Sequence, residues 1–213
     1  MMPDKISKYV ILVSSILLIN TTVWADITPL VVGTCITCHG PGGSSVGPAN
    51  PSIAGLKRKT LINIMVEYQN EKRPATIMGR IAKGYTEEDF KVMADYFVKQ
   101  PIIRYSQSVN AEKVKAGRKY HQKYCEKCHA KNGYQESEEG SSILAGQWMP
   151  YLQFSLNDYY TGVRKMPKKM KKRMVKMVIK YGDESLDDLV HFYGSQIKAQ
   201  VKPNQSDIHK TVN

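Results

Sequence analysis

The stretch Cys35-Ile36-Thr37-Cys38-His39 recurs as Cys125-Glu126-Lys127-Cys128-His129, and the two copies use all four cysteines of the 213-residue chain. Each copy places two thiols one helical turn apart, where each can add to one vinyl group of the same porphyrin. The histidine that follows then lies beside the iron as an axial ligand. The sequence therefore predicts two covalent c-type haems. Their attachment residues are Cys35, Cys38, Cys125 and Cys128, and their axial histidines are His39 and His129.

Other uses of four cysteines fit this pattern less well. A Cys₄ zinc site needs no histidine after each pair. A redox dithiol needs neither the second copy nor the histidines. Two structural disulfides would leave both histidines unexplained. Duplication of the whole five-residue motif favours haem attachment.

The N-terminus has the features of an export signal. Lys5 and Lys8 form a basic segment, the run 9–19 is apolar, and Val23-Trp24-Ala25 matches a signal peptidase site. The apolar run is broken by serines and is too short to span a membrane comfortably. We therefore expect residues 1–25 to be removed and the mature protein to lie in the periplasm, without a membrane anchor.

Each motif is followed by the same order of features, which indicates an internal duplication. After the first motif come Ile53-Ala54-Gly55, Tyr68, Met78 and an apolar helix pattern ending near Phe97. The second motif has its own set, namely Leu144-Ala145-Gly146, Tyr160, a methionine cluster and the pattern around Phe192. The helix-forming composition and the repeat predict an all-α protein with two domains, each folded around one haem. Each domain is small for an independent core, and a haem supplies apolar volume.

Breaks in the helical pattern define the predicted domain limits. We expect a first domain over residues 26–103, a linker over 104–111, a second domain over 112–202 and a polar tail over 203–213. The helix that leads into the second motif contains Gly117, which lowers helix propensity. Such a glycine is typical of a close helix contact, and the helix around Phe192 is the expected neighbour.

The sixth iron ligand of the first haem is predicted to be Met78. It follows Pro74 in a segment where a helix is disfavoured, whereas Met65 and Met93 lie within helical patterns typical of core residues.

The second domain leaves alternatives open, because four methionines crowd one basic segment. Met78 lies ten residues after Tyr68, and Met170 lies ten after Tyr160, so the repeat nominates Met170. Alignment from the last helix would nominate Met174, and Met166 shares with Met78 a position after an arginine. His121 is a further alternative, although a packing role fits it better. We predict histidine/methionine ligation at both irons, which favours the reduced state and leaves no open position.

Several longer strings resemble one family, the dihaem cytochrome subunit of flavocytochrome c sulfide dehydrogenase, which is itself similar to cytochromes c4. The resemblance is carried by Ser45–Pro48, Thr76–Tyr85, Lys123–His129, Ile143–Trp148 and Pro150–Gln153. It implies two class I cytochrome c domains and a partner subunit that oxidises sulfide with FAD. This chain has no dinucleotide-binding glycine loop and no spare cysteine pair, so FAD is expected only on the partner. By itself the chain is then a non-catalytic electron-transfer subunit.

Two other functions compete with this expectation. A free-standing c4-type dihaem carrier would deliver electrons to a terminal oxidase without a dedicated enzyme partner. A haem sensor would need one open iron, which the available methionines disfavour. In either carrier role, electrons leave to a periplasmic acceptor.

The charge of the chain is strongly basic, at +12. The segment 165–180 carries much of it and can attract an acidic redox partner or an anionic membrane, although a solvated helix face is an equal interpretation. Export argues against nucleic-acid binding. The acidic tract Glu136–Glu139 is interpreted as a solvated loop without function.

Overall fold

The computed structural model describes residues 29–136 and 142–197, and within these ranges the chain is helical, without strands. The prediction of an all-α fold is therefore confirmed. The helices are α1 Gly33–His39, α2 Arg58–Gln69, α3 Met78–Ala82, α4 Glu87–Phe97, α5 Ala111–Tyr120, α6 Met149–Tyr160, α7 Lys168–Tyr181 and α8 Glu184–Gly194. The predicted signal peptide (1–25) and polar tail (203–213) lie outside the described residues. No described helix is long and apolar enough to cross a membrane.

The first half packs around the apolar faces of α2 and α4. Phe90, Met93 and Phe97 of α4 are buried against Leu61 and Met65 of α2. The start of α4 is fixed by a capping box, because the Thr86 hydroxyl accepts from the Asp89 amide (3.2 Å) and the Asp89 carboxylate accepts from the Thr86 amide (2.8 Å). Methionines 65 and 93 are thus core residues, as the helical pattern predicted.

The second half packs α5 against α8 at very short range. A Cβ atom on Gly117 would lie 2.0 Å from the Asp188 carbonyl oxygen and 2.7 Å from the Phe192 Cβ. Only glycine therefore allows this approach, and the predicted contact with the helix around Phe192 is confirmed. The end of α5 continues through a wider π-helical turn, His121–Cys125, into the second Cys-x-x-Cys-His copy.

The two halves repeat one hydrogen-bonded turn. The amides of Ile53 and Ala54 donate to the Gly43 carbonyl (2.7 and 3.0 Å), and Gly55 donates to Phe97 (2.8 Å). The second half has the same pattern, in which Leu144 and Ala145 donate to Gly133 (2.9 and 3.1 Å) and Gly146 donates to Tyr193 (2.9 Å). Gly55 and Gly146 have φ values of +69° and +67°, a region that favours glycine. The duplication seen in the sequence is therefore a duplication of backbone structure.

The segment between the halves is fastened to both of them. The Ile103 amide donates to the Ser44 hydroxyl (2.9 Å) in the first half. In the second half, Arg104 Nε donates to the Ala145 carbonyl (2.8 Å), and the Gln107 side chain both donates to the Gln147 carbonyl (3.1 Å) and accepts from the Met149 amide (2.8 Å). The connector therefore holds a defined path between the two repeated turns.

Candidate cofactor sites

The first Cys-x-x-Cys-His copy lies on α1. The helix places the two cysteines about one turn apart, and the histidine follows the second cysteine directly. Cys35 is half-buried and Cys38 is exposed, whereas the His39 side chain is buried. The His39 Nδ1–H group donates to the Pro51 carbonyl oxygen at 2.7 Å, because a carbonyl can only accept. This bond fixes the tautomer and leaves Nε2 available for a metal. Burial also lowers the pKa of His39, which keeps the imidazole neutral at pH 7.

The second copy presents its histidine in the same way. His129 Nδ1 donates to the Ser142 carbonyl oxygen at 3.3 Å, a longer bond than that of His39. Burial lowers the pKa of His129 to about 4, so this imidazole is also neutral. Both histidines therefore have the protonation state and tautomer that an axial ligand needs.

One cavity joins the two predicted sites. Its volume is about 2350 Å³, and its lining includes Cys35, Cys38, His39 and Met78 of the first half and Cys128, His129 and Met170 of the second. Pockets for single small ligands are typically about 300–1,000 Å³, so this cavity has room for two large cofactors. Cys125, the other cysteine of the second motif, packs against the core of the second half beside Tyr193, and burial raises the pKa of its thiol to about 11.

Met78 is the first residue of the short helix α3, after the non-helical segment around Pro74. It is half-buried, packs against the first core and lines the cavity. The sequence led us to expect a non-helical position, and the chain turns helical at Met78 itself. Met65 and Met93 also border this cavity, but their side chains are buried in the first core, whereas Met78 is only half-buried.

The four methionines of the basic segment have different surroundings. Met170, in the first turn of α7, lines the cavity that also contacts His129. Met174 and Met177 are buried in the core of the second half, with 7% and 1% of their surface exposed. Met166 precedes α7 and packs against the same core. Among these side chains the cavity therefore favours Met170.

His121 is enclosed in a polar network that sequence reasoning did not foresee. It is fully buried, its Nδ1 accepts from the Tyr193 hydroxyl (2.9 Å), and its Nε2 donates to the Glu126 carboxylate. Burial lowers the pKa of His121, with Glu126 opposing that shift. Because both ring nitrogens are engaged, His121 serves packing and not iron ligation. The sequence did contain one indication of this network, because the second repeat has Tyr193, with a hydroxyl group, where the first repeat has Phe97.

Two arginines that line the cavity, one half-buried and one buried, each have a buried polar atom without a hydrogen-bond partner. The Nε atoms of Arg73 and Arg164 are buried and unpaired. Arg73 lies over the Tyr68 ring (5.4 Å) and Arg164 over the Tyr159 ring (5.0 Å). Each guanidinium also has a protein partner, Glu67 for Arg73 (3.4 Å) and Ser155 for Arg164 (2.9 Å). The unpaired Nε–H donors fit an anionic ligand such as the carboxylate side chains of a porphyrin. The residues present therefore suit haem in both halves.

Glu136 corrects an expectation from the sequence. We expected the tract Glu136–Glu139 to be solvated, but Glu136 is only 4% exposed, and residues 137–139 lie outside the described ranges. Its carboxylate accepts from the Lys57 amide (3.1 Å) and the Thr60 hydroxyl (2.8 Å) at the start of α2. A carboxylate at a helix N-terminus is favourable, so this residue of the second half caps a helix of the first.

Comparison with known proteins found similarity to cytochromes. No protein-family model matches the chain. The chain is 39% identical over 64 residues to the cytochrome subunit of sulfide dehydrogenase from Chlorobaculum tepidum, a match that spans 30% of this chain and 57% of that subunit. It is 31% identical over 72 residues to cytochrome c-554(548) from Halomonas halodenitrificans, spanning 32% of this chain and 87% of that protein.

The solved structure of reduced cytochrome c4 from Pseudomonas stutzeri has the same fold. It superposes with a TM-score of 0.66 at 22% sequence identity, over 78% of this chain and 94% of that one. The described helices therefore form two class I cytochrome c domains, as the sequence resemblance implied.

Proposed function

The chain belongs to the c-type cytochromes, and from this premise we propose that it accepts electrons from a flavoprotein sulfide dehydrogenase subunit and passes them to a periplasmic acceptor. Its relatives are cytochromes, and one of them is the cytochrome subunit of a sulfide dehydrogenase. The observation that carries the proposal is the shared cavity, since motif residues of both halves line one continuous space. Two cofactors held there would share this space, which would let electrons pass between the halves. The sulfide relative supports the choice of partner.

We assign the cofactors to residues as follows. Two covalent c-type haems are the cofactors, and when bound they supply one-electron chemistry. Cys35 and Cys38 would attach the first, with His39 and Met78 as its ligands, and this site belongs to the proposed domain 26–103. Cys125 and Cys128 would attach the second, with His129 and Met170 as ligands, in the proposed domain 112–202. The chain's own contribution is to orient the two imidazoles, fill both axial positions and exclude water.

A basic surface on α7 offers a docking place for the electron acceptor or donor. Lys171, Lys172 and Lys176 lie on its outer face with the exposed side chains of Val175 and Ile179. This face is on the same helix as Met170, close to the second site. A cluster of one sign accelerates association with an acidic protein in a salt-dependent way. We therefore place an acidic redox partner at this face.

Export completes the proposal. The predicted signal peptide lies outside the described residues, and its removal would release the chain into the periplasm, where c-type haems are attached. The chain would then meet both partners in that compartment.

The decisive experiment is an affinity purification of the haem-loaded protein from its native periplasm. We expect a flavin-containing protein to co-purify and sulfide to reduce both haems in the complex. A Lys171→Glu/Lys172→Glu variant should lose binding to any partner that uses α7, whereas the Lys115→Glu/Lys119→Glu variant on the exposed face of α5 should retain it. Reduction by sulfide only after the flavoprotein is added back would assign the sulfide chemistry to that subunit.

The free-standing c4-type carrier is the second candidate, and the fold likeness over 94% of a cytochrome c4 chain favours it. In that case the purified protein is free of flavin and does not respond to sulfide. It would instead be oxidised rapidly by membranes that contain a terminal oxidase. The same preparation therefore separates the two functions.

A further inference from the structure

We propose that Gln147 of the second half sets the reduction potential of the first haem, through the peptide group that holds His39. The residue does not touch the cofactor and acts as a positioning residue. The proposal rests on the ligation of iron by His39 proposed above. It adds a control of the first site by the second half of the chain.

The geometry places one peptide group between the two residues. The Pro51 carbonyl oxygen and the Ser52 amide belong to the same peptide bond. The oxygen accepts from His39 Nδ1 (2.7 Å), and the amide donates to Gln147 Oε1 (2.9 Å). Gln147 Nε2 in turn donates to the Ser52 carbonyl at 3.0 Å. The side chain of Gln147 thus forms two hydrogen bonds with Ser52, next to the axial histidine.

Gln147 is also held by the connector and by the next residue of its own half. It is 8% exposed, its carbonyl accepts from Gln107 Nε2 (3.1 Å), and its Oε1 accepts a second bond from the Trp148 amide (3.2 Å). Its oxygen therefore has little freedom to turn away from Ser52. Loss of Gln147 would leave the Ser52 amide without this partner.

The physical effect follows from cooperativity between hydrogen bonds. When its amide donates, a peptide group is polarised and its carbonyl becomes a better acceptor. A stronger bond from Nδ1–H makes the imidazole a more basic ligand. A more basic ligand stabilises the oxidised iron, so Gln147 should lower the potential of the first haem.

Among the described residues of the second half, no side chain is seen to bond in this way to the peptide that holds His129. In the repeat, Gln147 corresponds to Leu56, whose side chain cannot accept a hydrogen bond. The bond from His129 to the Ser142 carbonyl is also longer, at 3.3 Å. The effect should therefore be confined to the first haem.

The test compares Gln147→Met with Trp148→Phe in the haem-loaded protein. Trp148 Nε1 donates to the Ser45 carbonyl (2.9 Å), so Trp148→Phe weakens the same contact between halves without touching the Pro51–Ser52 peptide. We expect Gln147→Met to raise the first haem's potential and to change its reduced-to-oxidised ratio, at a fixed solution potential, about three- to tenfold. The second haem should be unchanged, and Trp148→Phe should leave both potentials near wild type. The Nδ1 proton resonance of His39 should shift in Gln147→Met alone.

Equal shifts in both variants, equal shifts at both haems, or no shift in Gln147→Met would overturn the proposal. Gln147→Glu gives a second measurement if Gln147→Met loads haem poorly, because its carboxylate still accepts from Ser52. A rise of the first potential in Gln147→Glu would contradict the proposal. The wild-type spectrum checks the ligation separately. Absence of a His39 resonance from the haem site would refute the proposed ligand and with it this route of control, whereas an unchanged potential in Gln147→Met with that resonance present would refute the role of Gln147 alone.

Discussion

The two halves of the chain build the same turn around their histidines but surround it with different chemistry. Phe97 closes the first turn with an apolar ring, whereas Tyr193 closes the second and joins His121 and Glu126 in a buried polar network. The first histidine is held at 2.7 Å through a peptide that also bonds to the other half, and the second at 3.3 Å within its own half. A duplicated frame can therefore support two electron carriers with different properties.

The largest expected effect comes from removal of one attachment pair. In Cys125→Ala/Cys128→Ala the second haem should be lost, and with it much of the apolar filling of that half. Cys35→Ala/Cys38→Ala should do the same in the first half. Iron content and intact mass should show one haem per chain in each variant, in place of two. Retention of two haems in either variant would contradict the assignment of the motifs.

The next largest effect should come from replacement of the proposed methionine ligands, which changes the potential of one haem at a time. Met78→Ala should lower the potential of the first haem, and Met170→Ala that of the second, because thioether ligation favours the reduced iron. The shift should be a sizeable part of the roughly 0.8 V range that axial ligands span. Redox titration with spectra of the methionine–iron charge-transfer band measures it.

Met93→Ala and Met174→Ala are the matched controls for that pair. Both side chains are buried in the cores, so each variant should lose about 2–5 kcal/mol of unfolding free energy and keep the ligand spectrum. If Met174→Ala or Met166→Ala abolished the second haem's methionine band and Met170→Ala did not, the ligand assignment would be wrong.

Gly117→Ala should destabilise the second half alone. Its new Cβ would overlap the Asp188 carbonyl, and backbone cannot move aside cheaply, so we expect a loss of about 3 kcal/mol or more. Gly33→Ala is the control, because a Cβ there meets nothing within 4 Å and helix propensity favours alanine by about 1 kcal/mol. Denaturant unfolding followed at each haem's absorbance compares the halves. Equal stability of Gly117→Ala and wild type would refute the close packing of α5 on α8.

The polar network of the second half should give the smallest effect. Tyr193→Phe, which installs the residue type of the first half, leaves His121 Nδ1 without its donor and should cost about 1–3 kcal/mol. Burial puts the folded pKa of His121 below the unfolded value of 6.5. Stability from neutral His121 is therefore present above pH 6.5 and decreases as the pH falls through that value.

Unfolding at pH 7.5 and pH 5.5 tests this dependence. His121→Leu should remove the part of the acid destabilisation that arises from His121, and Tyr193→Phe should retain it. An unchanged pH dependence in His121→Leu would show that the network does not control stability in this range.

The haem count, the fold class and the division into two similar units followed from the sequence, because these properties depend on local patterns. Cys-x-x-Cys-His is a chemical requirement of short range, and the repeat is readable by spacing alone. Gly117 also predicted a close contact between two helices, because glycine lowers helix propensity and is typical of such contacts. Met78 was nominated by its position after Pro74 and Met170 by its spacing in the repeat, and both side chains line the cavity.

Only the tertiary structure decided how the halves meet. Glu136 was expected to lie in a solvated acidic tract, and Gln147 and Trp148 were noted only at the end of a string that carries the family resemblance. Their partners, Thr60, Ser52 and Ser45, lie far away along the chain, so no local pattern could pair them. Burial of a carboxylate or an amide is decided by what folds against it. For that reason the sequence determined what this protein binds, and the packing of one half on the other determined how the two sites differ.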